Sequence, residues 1–280
     1  MDNNWVVDNL QNAFTTWNTK MEEMWGLLTQ SPETFKGGTI WSTIVTINGG
    51  MQAIGYGLLV LFFAISLFRS AASFRDFQRP EYVVRHLIQF VLAKVAITYG
   101  LDFLTKIFAV CNGIVATAAG SIGGADGASI TMPAEIIDAI NSLGFLESIP
   151  LWAVTLLGSL FIWVLSLVMI LTVYSRFFKL YMATAIAPIP LASFAGQPSS
   201  SIGVAFIKSY AAICLEGCMI VLACIIFSQF AAAPPAIADD TMAAATIVWN
   251  YIGELVFNML VLVGAIKMSD RLVRELMGLG

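Results

Sequence analysis

Five ionisable side chains, Lys94, Asp102, Lys106, Glu216 and Glu254, fall inside stretches that are otherwise apolar. A charge at membrane depth costs on the order of 3 kcal/mol on insertion scales, so these residues must face protein or water, and each is a candidate for an ion or substrate path. Asp102 and Lys106 stand at i, i+4, in the order that suits an ion pair within one helix close to where it leaves the lipid. Lys94 has no acid within a turn of its own helix, so it needs a watery cavity or a partner from elsewhere, for which Glu216 and Glu254 are the available acids. Asn250, Glu254 and Asn258 repeat every fourth residue and draw a polar stripe down one helix face. Such a stripe either hydrogen-bonds a neighbouring helix or lines a pore.

Other chemistry is not supported. There is no phosphate-binding glycine loop, no His-rich metal motif and no nucleophile with a nearby base, so neither an enzyme nor a bound cofactor or metal is expected. Cys111, Cys214, Cys218 and Cys224 sit in apolar surroundings, and the single histidine, His86, has none of them nearby in sequence. They read as small packing residues. A formal charge of -4 gives no overall electrostatic footprint for nucleic acid.

With 58% hydrophobic and only 11% charged residues, the chain cannot be hidden inside one soluble core. It reads as an all-α, multi-pass protein of the cell membrane, in contact with lipid, with five spans at about 44–68, 87–118, 151–174, 209–231 and 244–266. The second span is longer than a bilayer needs, so it is expected to tilt, to break near Gly100, or to project beyond the lipid. A further apolar stretch, Leu180 to Ala195, is interrupted by Pro188 and Pro190.

Positive residues set the expected sidedness. Arg69, Arg75, Arg79 and Arg85 follow the first span, Arg176, Lys179 and Lys208 flank the gap after the third, and Lys267, Arg271 and Arg274 follow the fifth. These gaps are expected to be cytoplasmic. Residues 119–150 and 232–243 carry acids such as Asp126, Glu135, Asp239 and Asp240 and no Lys or Arg, so they are expected outside. The count is consistent only if Leu180–Ala195 is a re-entrant or interfacial hairpin, with the backbone freed by its prolines satisfied by protein or water. The N-terminus is then outside and the C-terminus cytoplasmic. The basic loop, interleaved with Phe74 and Phe77, needs no nucleic acid to explain it, because the orientation rule already demands positive charge there.

Residues 1–36 form an expected external amphipathic segment ahead of a single transmembrane domain, 37–280. Val7, Leu10, Phe14, Trp17, Met21, Met24 and Leu28 alternate at spacings of three and four, a heptad seam on an otherwise polar helix. Its partner is expected to be the headgroup region or a neighbouring subunit. The outer gap starts with a Gly-rich turn, Gly120 to Gly127, followed by a short helix with Pro133 near its start, Ile136, Ile140 and Leu143 on one face, and Gly144 as its stop. Lys267 to Leu276 continues the last helix. Gly49, Ala53 and Gly57 on the first span, and Cys214, Gly217, Cys218 and Val221 on the fourth, read as slim packing faces.

The run from Arg176 through Lys179, Ala183-Thr184-Ala185-Ile186-Ala187-Pro188-Ile189-Pro190 to Ala192, followed by the polar gap Gln197–Ser201, resembles the most recognisable segment of the TrbL-like polytopic proteins of type IV secretion and conjugation machines. That family shows a basic-aromatic entry, an alanine-rich run, an Ala-Pro step and a short polar gap before another span. The expectation is a compact form, without the long C-terminal soluble domain of the larger members. The resemblance implies an oligomeric inner-membrane channel or platform component that helps move DNA and protein, powered by separate ATPases. A secondary transporter with a midplane Lys94, Glu216 and Glu254 site is the competing reading; the absence of an internal repeat counts against it.

Overall fold

A computed structural model describes residues 5–71, 80–120, 129–142, 145–197, 199–230 and 244–279. Among the described residues the regular structure is entirely helical: α1 (Trp5–Thr29), α2 (Thr39–Ala71), α3 (Pro80–Thr98), α4 (Gly100–Gly120), α5 (Ala134–Asn141), α6 (Phe145–Ile186), α7 (Pro188–Ala192), α8 (Ser200–Phe230) and α9 (Ala244–Leu276). Short 3-10 turns occupy Phe35–Gly38 and Ser193–Ala195. Five segments are long and apolar enough to cross a membrane: Phe35–Ser70, Gly100–Gly120, Ile149–Ile186, Ser200–Gln229 and Thr246–Leu276. The protein is therefore an all-α polytopic membrane protein. Arg75, Arg79, Phe74, Phe77, Asp126, Leu143, Gly144, Asp239, Asp240 and the Gly-rich turn beyond Gly120 lie outside the described residues.

The expected second span is two helices. The i to i−4 ladder passes through Tyr99, which donates to Val95 O at 2.9 Å and accepts from Phe103 N at 3.0 Å, but regular helix is interrupted there. Gly100 follows this one-residue interruption and is a point of close packing. A Cβ on Gly100 would lie 2.7 Å from Leu191 Cδ1, so this glycine is where α4 closes on α7.

The chain divides into two compact units. One comprises Met1–Thr29, Val115–Tyr174 and Cys218–Ser269. Here all seven residues of the α1 seam are buried, and the cover comes from the chain itself rather than from headgroups or another subunit. Asn18 pairs with the backbone of Ile130, donating to its carbonyl and accepting from its N–H, both at 2.9 Å. Ile136 and Ile140 of α5 are buried, and α5 packs on α1. Trp5 stacks on Trp152 and Tyr174 donates its hydroxyl to Glu23 at 3.3 Å, so α1 runs alongside α6 and in the same direction. Seam burial explains why this helix, polar on its other side, forms at all.

The other unit comprises Gln30–Ile114, Ser175–Gly217 and Asp270–Gly280. It opens on a left-handed turn, Lys36 (φ 50°), Gly37 (φ 76°) and Gly38 (φ 78°), that feeds α2. Leu180–Ala195 is not a hairpin in this unit. Leu180–Ile186 is the last part of α6, and α7 and the 3-10 turn extend it to Ala195. The chain reverses at Gly196–Ser199, after which α8 returns antiparallel, with Gly203 against Phe194, Tyr210 against Thr184 and Cys214 against Arg176. The prolines thus interrupt the first arm of a larger hairpin.

That arm lies along α2. Phe35 stacks on Phe177 at 4.2 Å between ring centroids, Asn48 Nδ2 donates to Thr184 O at 2.7 Å, a Cβ on Gly55 would lie 2.9 Å from Pro188 O, and one on Gly196 would lie 2.9 Å from Phe62 O. Asn48, Gly55, Leu59 and Ser66 form the buried stripe of α2, while Gly49, Ala53 and Gly57 are exposed, so the packing glycine is Gly55. Pro188 has no N–H to bond Thr184 O four residues back, and the Asn48 amide takes that role. Two consequences correct the positive-residue count. The arm reaches the depth of α2 itself, and Pro32 and Phe35, ahead of α2, meet Tyr181 and Phe177 on one side. The positive-residue count sets those two regions on opposite faces, whereas within this unit they are neighbours.

Candidate functional site

In the second of these units α6, α8 and α9 bring four charges into a line. Lys179 is one turn below Arg176 on α6, and its Nζ lies 3.4 Å from Glu216 Oε2 on α8 and 3.1 Å from Asp270 Oδ1 on α9. Arg274, one turn after Asp270, places Nε 3.2 Å from the same Oδ1. Glu216 is 1% exposed and its carboxylate finds charge compensation in Lys179, whose own side chain is 29% exposed. Of the two acids open to Lys94 in the sequence reading, Glu216 is held by Lys179 instead. Lys94 is exposed on α3 and forms no ion pair among the described residues.

Arg176 is the second surprise. A basic residue expected to mark a water-facing gap is 1% exposed. Its Nε and Nη2 donate to the carbonyls of Ile213 and Cys214 at 3.3 and 3.2 Å, and its guanidinium lies 5.6 Å from the centroid of the Phe108 ring. Nη1 has no partner. The planar group fits because residue 217 is glycine: a Cβ there would lie 2.5 Å from Nη1 and 2.6 Å from Cζ. The slim face read on the fourth span therefore accommodates a guanidinium.

The remaining candidates are dispersed. Asp102 and Lys106 are both exposed on α4 and no ion pair joins them within 4 Å. Arg69 and Arg85 are exposed at the end of α2 and the start of α3. Pro188 is buried and Pro190 half-buried. In the other unit Asn250 and Glu254 are exposed and Asn258 is half-buried, so the α9 stripe does face outward from this chain. A Cβ on Gly158 would lie 2.8 Å from Ile252, so α9 packs on α6 through Ile252, and Asn250 and Glu254, two residues either side of it, fall on the far face.

Sequence reasoning missed Asn48 and Asp270. For Asp270 the signal is its i, i+4 spacing from Arg274 on one helix face, and for Asn48 it is a lone amide in a charge-free apolar run.

The cluster offers held charge and hydrogen bonding; it holds no nucleophile and base, and no group of metal-ligating residues occurs among the described residues. No curated protein and no solved structure matches the chain. The family described as TrbL/VirB6 plasmid conjugal transfer like protein does match, over residues 17–188, a range that runs from the middle of α1 through α6 and ends on Pro188 of the proline arm. That is more than half of the 280 residues, and the chain belongs to the TrbL/VirB6 plasmid conjugal transfer-like family, as a multi-pass cell-membrane component of conjugal transfer and type IV secretion.

Proposed function

We propose that the chain is a channel or platform subunit of a type IV secretion machine, working in several copies beside the machine's other subunits and ATPases, and helping DNA and protein cross the cytoplasmic membrane without catalysing a reaction itself. Family membership supplies the machine. The observation that supports a role as an embedded building block is the length of α6. It has 42 residues, and exposed apolar side chains run along it from Ile149 through Leu156, Phe161, Leu167, Leu171 and Phe178 to Ile186. At 1.5 Å per residue that apolar face is roughly 55 Å long, against about 30 Å of hydrocarbon. At least about 25 Å of it lies beyond the lipid core and needs protein to cover it.

Polar surfaces complement this apolar one. Gln11, Asn12, Thr15, Thr19 and Glu22 are exposed along α1, which lies beside α6, and Asn250 and Glu254 are exposed on α9. Lys94, Asp102 and Lys106 are exposed on α3 and α4. These are the surfaces that would face water, substrate or a neighbouring subunit in the assembly. A transporter site made of Lys94 and Glu216 gains no support, since Glu216 is already matched by Lys179.

The test is conjugative DNA transfer from a donor strain with this gene cleanly deleted and then restored, with growth and membrane integrity followed in parallel. Transfer is expected to be lost and then recovered in otherwise healthy cells. Unchanged transfer on deletion overturns the reading. Glu254→Leu, at normal protein abundance, is expected to reduce transfer; wild-type transfer removes the α9 stripe from the path.

A further inference from the structure

The unit of Gln30–Ile114, Ser175–Gly217 and Asp270–Gly280 holds two opposite charges at one depth. Its depth can be read along the proline arm. From Arg176 to Gly196 the arm rises through about 30 Å, the thickness of the hydrocarbon core. Arg176 and Lys179 stand at one end and Gln197 and Ser199 at the other, and α2 beside it has no charge between Gly37 and Phe68. On this ruler α4 passes Leu191 at Gly100 and the Arg176 guanidinium at Phe108. Asp102 therefore lies near the level of Ala187. On α8, Gly203 meets Phe194 and the Tyr210 hydroxyl meets that of Thr184. Lys208 therefore lies within about one helical turn of the same level. Both side chains are exposed and neither forms an ion pair among the described residues.

Within one chain they point apart. The inward face of α4 carries Gly100, Leu104, Phe108 and Cys111, all buried, with Gly100 against Leu191 and Phe108 beside the Arg176 guanidinium. Two residues from Gly100, at 3.6 residues per turn, Asp102 falls on the far side of α4 from that face. Lys208 likewise lies away from the face of α8 that carries Gly203, Tyr210 and Cys214. Lys106 shares the outer side of α4 with Asp102 and is the competing cation.

We propose that copies of this chain associate head to tail in the membrane plane, Asp102 of one copy pairing with Lys208 of the next. Lipid cannot compensate either charge at mid-depth. A second copy must bring the opposite charge at the right depth, because the same fold sets both depths; any other partner would have to match depth and sign separately. Two different faces meeting in a repeating contact is the geometry that closes rings. The inference rests on the multi-copy assembly proposed above.

Two differently tagged copies, one with Asp102→Cys and the other with Lys208→Cys, are expressed together in donor cells, and native membranes are oxidised with copper phenanthroline. A species carrying both tags, at twice the mass of one chain, is expected, and is expected to vanish when either variant is paired with wild type. In parallel, Asp102→Lys and Lys208→Asp are each expected to lose transfer, and their combination in one chain to regain it. Absence of the two-tag species at normal abundance overturns the proposal. So does a double variant that stays inactive, which would leave Lys106 as the partner of Asp102. The cross-link is read without reference to transfer, so a deletion that leaves transfer intact would remove the secretion role while the head-to-tail contact could still stand.

Discussion

The bond between Asn48 and Thr184 gives a sharp test of how this fold tolerates a proline inside an apolar segment. Thr184 O is the carbonyl that the missing N–H of Pro188 leaves open, and Asn48 Nδ2 fills it at 2.7 Å. The other backbone donor nearby, Ala187 N, lies at a long 3.4 Å. Asn48→Ala should therefore destabilise the protein by about 1–3 kcal/mol, the cost of an unsatisfied buried acceptor, towards the upper end where no water is available. Pro188→Ala restores an N–H at the position that can reach Thr184 O. The double variant should then lose less than the sum of the single ones, with a coupling of about 1–2 kcal/mol. Pro188→Ala has its own cost, because Pro188 packs on Gly55, and the cycle removes that common term. The four proteins would be compared by reversible unfolding in mixed micelles with increasing SDS, at matched lipid content. If Asn48→Ala costs the same in the Pro188→Ala background to within about 0.5 kcal/mol, the amide is not standing in for the absent N–H and the reasoning fails.

Gly217→Ala would put a methyl 2.5 Å from Arg176 Nη1, so the guanidinium must leave Ile213 O and Cys214 O; a loss of about 2–4 kcal/mol in the same unfolding assay is expected, and a neutral variant would contradict the packing described. Lys36→Gly relieves a left-handed backbone on a residue with a side chain, and should stabilise by about 1 kcal/mol, seen as a higher midpoint of unfolding. In the ion cluster, Lys179→Met leaves Glu216 buried without its cation and should cost about 3–5 kcal/mol, whereas Glu216→Gln leaves Lys179 with Asp270 and should cost clearly less. Adding Glu216→Gln to Lys179→Met should recover part of the loss; an unchanged double variant would mean that the two do not interact.

The features legible in the sequence are those that one helix carries by itself. The α1 seam is a repeat of apolar residues within 25 positions, and every member of it is buried. The charge-free run of α2, the break at Gly100 and the continuation of α9 to Leu276 follow from composition and from glycine placement along single segments. The partners of those helices are a different kind of information. Asn18 finds Ile130 across 112 positions, and Asn48 finds Thr184 across 136. No periodicity reports such a pairing.

The misplaced proline arm shows why charge counting goes wrong where it does. The positive-residue rule treats Lys and Arg as markers of a water-facing gap. Arg176 is instead buried on two α8 carbonyls beside an aromatic ring, and Lys179 is held between Glu216 and Asp270. Residues whose charge is matched inside the protein say little about which side of a bilayer they occupy. Glu216, one residue before Gly217 and buried on the same helix that accepts Arg176, is the sign that the cations after the third span have internal partners. Once those cations are removed from the count, nothing requires Leu180–Ala195 to turn back, and the arm is free to run the depth of α2 as its contacts with Asn48, Gly55 and Phe62 show.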